Sequence, residues 1–183
     1  RISCASNQKQ IGLAFQLYTN FPDDVVLPDA NTTASAVKSS LGLEPLVLNG
    51  VLTDMKMYIC PSTSLKTAKY ESNITADPFN NDVDALALSY HYLPGMNANT
   101  TGSDSGILFD GASGNVSPNH DKFGNILFGD GHVGSFVTGS GSNYWTKKTN
   151  WSGTVKNGKE EIQGRSVTMA KGAKDTEADN VVD

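Results

Sequence analysis

Residues 120–136 constrain the fold of this chain more than any other segment, because they predict both a β-hairpin and its register. Apolar runs flank Asp130-Gly131, and an Asp-Gly pair in that setting is typical of a two-residue type I′ turn. Such a turn predicts that Phe128 pairs with Val133 across the hairpin. The two predicted faces are Ile126, Phe128 and Val133 on one side, and Leu127, His132 and Phe136 on the other.

A second segment predicts an amphipathic helix over residues 2 to about 19. One helical stripe carries Cys4, Ile11, Phe15 and Tyr18, with Gln8 as its one polar member. We expect Ile11, Phe15 and Tyr18 to pack against a sheet. No residue before Ile2 could cap this helix, so we interpret the segment as the trailing half of a longer helix whose front is missing.

Three short segments resemble the bacterial pilin-like proteins that carry a prepilin-type N-terminal cleavage and methylation signal, and they follow the order found in that family. The first is residues 3–14 within the predicted helix, and the second is residues 58–62, Tyr-Ile-Cys-Pro-Ser. The third is the family's His-nine-Asp-Gly motif, formed by His120, Asp130 and Gly131. This sequence lacks the apolar half of the helix and the peptidase site of the family.

The resemblance implies a structural subunit of a type IV pilus or of a type II secretion pseudopilus, and not an enzyme. In full length, the missing apolar half-helix would anchor the subunit in the bacterial inner membrane, with the soluble domain in the periplasm or at the cell surface. Its partners would be other pilin or pseudopilin subunits in a homo-oligomeric or hetero-oligomeric filament. Burial of apolar helix faces would drive that association.

The expected fold class is α+β, with the truncated pilin-type helix packed on an antiparallel sheet of about four to six strands. The length of 183 residues suits one loop-rich domain with its own core, spanning residues 1–183. The predicted regions are a helix over about 2–19, a loop region over about 20–85, a sheet over about 86–170 and a polar tail over about 171–183.

The charge of this sequence argues against nucleic-acid binding, and its hydropathy argues against a membrane span within residues 1–183. The formal net charge is −5 and no basic cluster could neutralise phosphates, which argues against nucleic-acid binding. No window of this sequence approaches the roughly 18 consecutive apolar residues of a membrane span.

Two short elements are predicted within the loop region. Residues 34–43 favour a short helix that ends near Gly42. Residues 46–57 are apolar with Asn49-Gly50 inside, so they suit either a short helix or an irregular hairpin.

The sheet region predicts strands at 87–92 and 107–110, both rich in strand formers. The second run is repeated in pattern by residues 126–131, so we expect those two strands to be neighbours in one antiparallel sheet. A further hairpin is predicted after about residue 143, with Asn157-Gly158 as its turn.

The two cysteines, Cys4 and Cys60, lack further ligands at the spacing of a zinc motif. They could form one disulfide, which would stabilise the fold by about 4 kcal/mol on the chain-entropy model. The alternative is a pair of unbridged buried thiols that pack as small hydrophobic side chains.

The hairpin segment also carries candidates for chemistry. The side chains of His120, Asp121, Asp130 and His132 could supply a zinc or iron site. We expect instead that His120 is structural and hydrogen-bonds near the Asp130 turn, which would fix the register. Residues 129–134 match a dinucleotide-binding fingerprint, but no helical period follows them, so a nucleotide site is not expected.

No cofactor is expected, and calcium is the alternative that the acidic residues leave open. A first acidic cluster is formed by Asp77, Asn80, Asn81, Asp82 and Asp84, but it lacks the glycine of an EF-hand loop. The resemblance points to a second cluster late in the chain, where some major pseudopilins hold calcium. That cluster is formed by Asp175, Glu177, Asp179 and Asp183.

Two other functions stay open. A periplasmic or surface module could bind carbohydrate through exposed Trp145, Trp151 and tyrosines. A metal-dependent hydrolase could be centred on His120, Asp130 and His132.

Overall fold

The secondary structure is a mixture of helices and antiparallel strands, which makes the fold α+β. The computed structural model describes residues 2–20, 27–28, 39–80, 87–92, 103, 106–110, 119–120, 123–137, 159–162 and 165–168. The helices are α1 (Ile2–Thr19) and α2 (Ser39–Leu48), followed by a 3₁₀ helix (Met55–Tyr58). The strands are β1 (Tyr90–Tyr92), β2 (Gly106–Asp110), β3 (Phe123–Phe128), β4 (Val133–Val137), β5 (Lys159–Ile162) and β6 (Arg165–Thr168).

Four of the strands form one antiparallel sheet in the order β1-β2-β3-β4. Tyr90 pairs with Asp110 between β1 and β2, and Phe109 pairs with Ile126 between β2 and β3. The prediction that the strands near residues 107–110 and 126–128 are neighbours is confirmed. Each strand pairs with the next one along the chain, because antiparallel neighbours need no crossover connection.

Helix α1 packs against this sheet with the stripe that the sequence predicted. Ile11 and Phe15 are buried, and Tyr18 is partly buried against the same core. The ring of Phe15 stacks on Tyr92 of β1, with 5.0 Å between the ring centroids. Gly12 permits a close approach of helix and sheet, because a Cβ atom there would lie 2.8 Å from Cδ1 of Leu127 in β3.

Helix α2 continues past Gly42, where the sequence predicted its end, and contains Pro45. Leu43, Leu46 and Val47 are fully buried on this helix. Burial of three such side chains contributes about 5–9 kcal/mol. This exceeds the roughly 4 kcal/mol that an interior glycine and proline cost together, so tertiary packing overrides the local signals. The part of the predicted helix before Ser39 lies outside the described residues.

The β3–β4 hairpin differs by one residue from the predicted register, because Leu127 and not Phe128 pairs with Val133. Its loop has three residues: Gly131 N–H donates to the Phe128 carbonyl at 2.8 Å, and Phe128 N–H donates to the His132 carbonyl at 2.9 Å. Gly131 has φ +85°, whereas Asp130 has an ordinary negative φ. The loop is therefore a type I turn followed by a left-handed glycine, and not a type I′ turn, which needs positive φ at both central residues.

The register correction also changes the faces of the hairpin. Leu127 and Val133 share the face that α1 covers, whereas the prediction placed Val133 with Ile126 and Phe128. Asp130 favours this outcome, because its carboxylate accepts the His132 backbone N–H at 3.0 Å and so holds the three-residue loop.

We expect Gly131→Ala to destabilise the protein by about 1–2 kcal/mol, because an L-residue is strained at φ +85°. The new Cβ would also lie 3.0 Å from Nε2 of Gln16. Gly50→Ala is the matched control, since Gly50 has φ +69° with no atom within 4 Å of the new Cβ. Urea denaturation should show a lower free energy of unfolding for both variants, with the larger loss for Gly131→Ala. A Gly131→Ala variant as stable as the wild type would contradict the left-handed conformation of Gly131.

Strands β5 and β6 form a separate antiparallel pair, in which Ile162 pairs with Arg165. A hairpin was predicted in this region, but Asn157-Gly158 precedes β5 and is not its turn. The polar tail from about residue 171 lies outside the described residues. No helix among the described residues combines the length and the apolar character that a membrane span requires.

Candidate functional site

Four chemically reactive side chains meet where α1 covers the sheet. Cys4 lies in the first turns of α1, Cys60 follows the 3₁₀ helix, Asp110 ends β2, and His120 precedes β3 by three residues. All four residues are buried. One ligand atom from each of Cys4, Cys60 and His120 lies within 4.8 Å of the other two. The tertiary structure thus assembles a compact thiol–imidazole–carboxylate cluster, hereafter the Cys–His cluster.

Local hydrogen bonds fix the segment that carries Cys60. Asp54 caps the 3₁₀ helix by accepting the Lys56 N–H at 3.1 Å. The Ile59 carbonyl accepts a hydrogen bond from Nδ2 of Asn7 in α1 at 2.9 Å. After the helix, the Thr63 hydroxyl donates to the Cys60 carbonyl at 2.9 Å. These bonds hold the Cys60 backbone against α1, so the two cysteines approach each other although they are far apart in sequence.

Asp110 provides a buried carboxylate that is saturated with donors. Its Oδ1 accepts hydrogen bonds from the Cys4 thiol at 2.7 Å and from Nε2 of Gln8 at 3.0 Å. Its Oδ2 accepts from the backbone N–H of Asn125 at 2.8 Å and from the Asn125 side chain at 3.0 Å. Burial raises the pKa of Asp110 to about 6, because desolvation outweighs the lowering by these four hydrogen bonds.

The two thiols differ in their readiness to ionise. The hydrogen bond with Cys60, followed by burial and the nearby Asp110 carboxylate, raises the pKa of Cys4 far above its ordinary value. The same contact with Cys4 lowers the pKa of Cys60. Cys60 is therefore the thiol that loses its proton first, whereas Cys4 keeps the single proton that it donates to Asp110.

His120 lies between Cys60 and Asp110. Its Nε2 is 3.5 Å from Sγ of Cys60 and 3.9 Å from Oδ2 of Asp110. A cysteine–histidine–carboxylate catalytic triad uses one ring nitrogen for the nucleophile and the other for the carboxylate. Here one nitrogen faces both groups, and the whole cluster is buried, so the geometry does not suit nucleophilic catalysis.

The predicted contact between His120 and the Asp130 turn is wrong. His120 precedes β3 and Asp130 follows it, so the full length of a six-residue strand separates them. Asp130 is exposed and its carboxylate binds the backbone and side chain of His132 instead. The ring of His132 stacks on Phe128 with 4.5 Å between centroids. The hydrolase site suggested for His120, Asp130 and His132 is therefore not assembled.

The other predicted site residues differ in where the structure places them. Cys4 and Cys60 lie close together as free thiols, and the disulfide itself stays a prediction. Asp77 and Asn80 of the first acidic cluster are exposed. The remaining candidates lie outside the described residues: Asn81, Asp82, Asp84, Asp121, Trp145, Trp151, Asp175, Glu177, Asp179 and Asp183. Tyr58, Tyr90 and Tyr92 are buried and offer no surface to a carbohydrate, whereas Tyr70 is exposed and Tyr18 is partly buried.

The sequence reasoning missed Asp110 and the polar residues that support it. Gln8 carried a signal, because it is the one polar side chain in the buried stripe of α1 and is fully buried. Its Nε2 donates to Asp110 and, at 3.3 Å, to the Asn125 carbonyl. A buried amide in an apolar helix stripe needs such partners, so it marks the place where the sheet must present acceptors.

A shallow cleft lies elsewhere along α1, where Phe15, Thr19 and Leu27 face Phe128 and the hairpin turn. It does not include any member of the Cys–His cluster.

No family model, no curated protein and no solved structure matches this chain.

Proposed function

We propose that this chain is the soluble domain of a pilus or pseudopilus subunit, which acts by assembly and catalyses no reaction. The observation that carries the proposal is the arrangement of α1, which buries one face against an antiparallel sheet and leaves apolar side chains on the other. The Cys-Ala-Ser-Asn segment of α1 and the His-nine-Asp-Gly motif support the same family.

The free face of α1 carries Leu13 and Leu17, whose side chains are 45% and 58% exposed. These residues are four positions apart, so they lie one above the other on the helix surface. Ile2, at the start of α1, is 89% exposed. In a filament these side chains would pack against the helices of neighbouring subunits, where each Å² of apolar surface removed from water contributes about 25 cal/mol.

In full length, an apolar segment continuous with α1 would hold the subunit in the inner membrane and then bundle with its copies. The domain described here would project into the periplasm or from the cell surface. Its loops would select partner subunits, because loops on a rigid scaffold carry most recognition. The sequence encoded before Arg1 tests this directly: about 20 apolar residues after a basic leader are expected.

We expect Leu17→Glu to reduce incorporation of the full-length protein into filaments by at least about tenfold, since a charge in an apolar helix contact costs more than 1.4 kcal/mol. The measurement is immunoblotting of filaments sheared from the source cells. Ser64→Glu is the matched control, because it adds the same charge at an exposed position outside α1. Equal incorporation of both variants, or absence of the wild-type protein from any sheared filament, would refute the proposal.

A further inference from the structure

We infer that the reduced Cys–His cluster is a zinc-binding site, with Cys4, Cys60 and His120 as ligands and the Asp110 carboxylate as the fourth. This site does not depend on the proposed function, because a filament subunit with or without zinc would assemble through α1. Its ligands come from four separate elements, so a bound ion would crosslink α1, the segment after the 3₁₀ helix and the sheet.

The interatomic distances suit a tetrahedral ion. Zn–S bonds of about 2.3 Å and Zn–N bonds of about 2.0–2.1 Å place neighbouring ligand atoms about 3.6–3.8 Å apart in a tetrahedron. Sγ of Cys60 and Nε2 of His120 are 3.5 Å apart. Cys4 Sγ lies within 4.8 Å of both, so a side-chain adjustment of about 1 Å completes the three-ligand face.

Asp110 would supply the fourth vertex of the tetrahedron after a rotation of its carboxylate, because different oxygens face Cys4 and His120. Its Oδ1 lies 2.7 Å from Cys4 Sγ and its Oδ2 lies 3.9 Å from His120 Nε2. Gln8 and Asn125 already orient this carboxylate through three hydrogen bonds, as outer residues commonly orient metal ligands. With four protein ligands and no open position, the site would be structural and not catalytic.

Charge and ligand type select the class of metal. Two thiolates with one imidazole suit zinc, whereas calcium and magnesium prefer all-oxygen sites. The cluster buries a carboxylate beside two ionisable thiols, and among the described residues His120 is the one basic side chain within 4.0 Å of that carboxylate. A divalent cation would compensate the buried negative charge that the two thiolates and Asp110 would otherwise create.

The test uses the whole chain, freed of metal and kept reduced with a phosphine. It is titrated with Co²⁺ and then with Zn²⁺, both after folding and by refolding from urea with the metal present, because the site is buried. We expect one Co²⁺ per chain, with thiolate-to-cobalt charge-transfer absorption and the intense visible bands of a tetrahedral site. Zn²⁺ should displace Co²⁺ and raise the Tm.

Ligand variants then assign the site. Cys60→Ser and His120→Ala should each weaken Zn²⁺ binding by more than about 100-fold, since even outer-shell losses cost 10–100-fold. Asp110→Asn should weaken it by at least about tenfold. His132→Ala is the matched control, because His132 is exposed and lies at the opposite end of β3. Circular dichroism of each variant verifies that it is folded.

Three outcomes would overturn the inference. One is the absence of thiolate-to-cobalt absorption from the reduced wild-type chain under both loading conditions. Another is a Zn²⁺ affinity that is the same in the Cys60→Ser, His120→Ala and His132→Ala variants, which would place the metal elsewhere. The third is an affinity that does not fall when the wild-type chain is unfolded in urea, a result that needs no variant to fold.

Discussion

Phe15→Ala is expected to lower the free energy of unfolding by about 3–5 kcal/mol, the usual cost of removing a fully buried aromatic ring. Phe15 is 2% exposed and stacks on Tyr92, so the truncation removes apolar burial and leaves a cavity between α1 and β1. Urea denaturation followed by circular dichroism measures the loss. The effect would be large for a domain whose total stability is typically 5–15 kcal/mol.

Leu17→Ala is the matched control on the same helix. Leu17 is 58% exposed, so its truncation should change stability by no more than about 0.5 kcal/mol. Both substitutions introduce alanine, the best helix former, and so neither one weakens α1 through propensity. Equal effects of the two variants would mean that α1 does not pack on the sheet through the Phe15 face.

The close contact between Gly12 and Leu127 predicts a large loss of stability for Leu127→Ala. It also predicts that the effect of Gly12→Ala on stability changes sign when Leu127 is replaced. Leu127→Ala should cost about 2–5 kcal/mol, because Leu127 is fully buried. Gly12→Ala in the wild-type background should destabilise by about 1 kcal/mol. The clash of its Cβ with Leu127 at 2.8 Å outweighs the gain of about 1 kcal/mol in helix propensity.

In the Leu127→Ala background the same Gly12→Ala substitution should stabilise by about 1 kcal/mol, since the clash is gone and the methyl group fills part of the cavity. A double-mutant cycle in urea should therefore give a coupling of about 2 kcal/mol. Additive effects of the two substitutions would show that α1 does not approach β3 at Gly12.

The sequence alone was sufficient for α1 and for the pairing of β2 with β3. The stripe of Ile11 and Phe15 has the helical period, and that period is a local property that burial against any sheet preserves. The β2 and β3 segments share a strand pattern and follow each other along the chain, so antiparallel pairing needs no distant information.

Turn geometry and helix ends required the tertiary structure. Asp130-Gly131 is compatible with two loop types that differ by one residue in register, and the local bond from His132 to Asp130 together with the burial of Leu127 under α1 selected the longer loop. In α2, burial of Leu43 and Leu46 outweighed Gly42 and Pro45, which the sequence pattern weighs as helix breakers.

The Cys–His cluster lay furthest beyond sequence reasoning. Cys60 and His120 are 60 positions apart in the sequence, and Cys4 and Asp110 are 106 positions apart. Such separations match no short metal-binding motif, so the sequence pattern does not predict the site. The sequence did determine that the stripe of α1 contains one polar residue, Gln8. Which acceptor it meets was decided by the fold, because side chains from separate elements become neighbours only when the helix, the segment after the 3₁₀ helix and the sheet bury a common core.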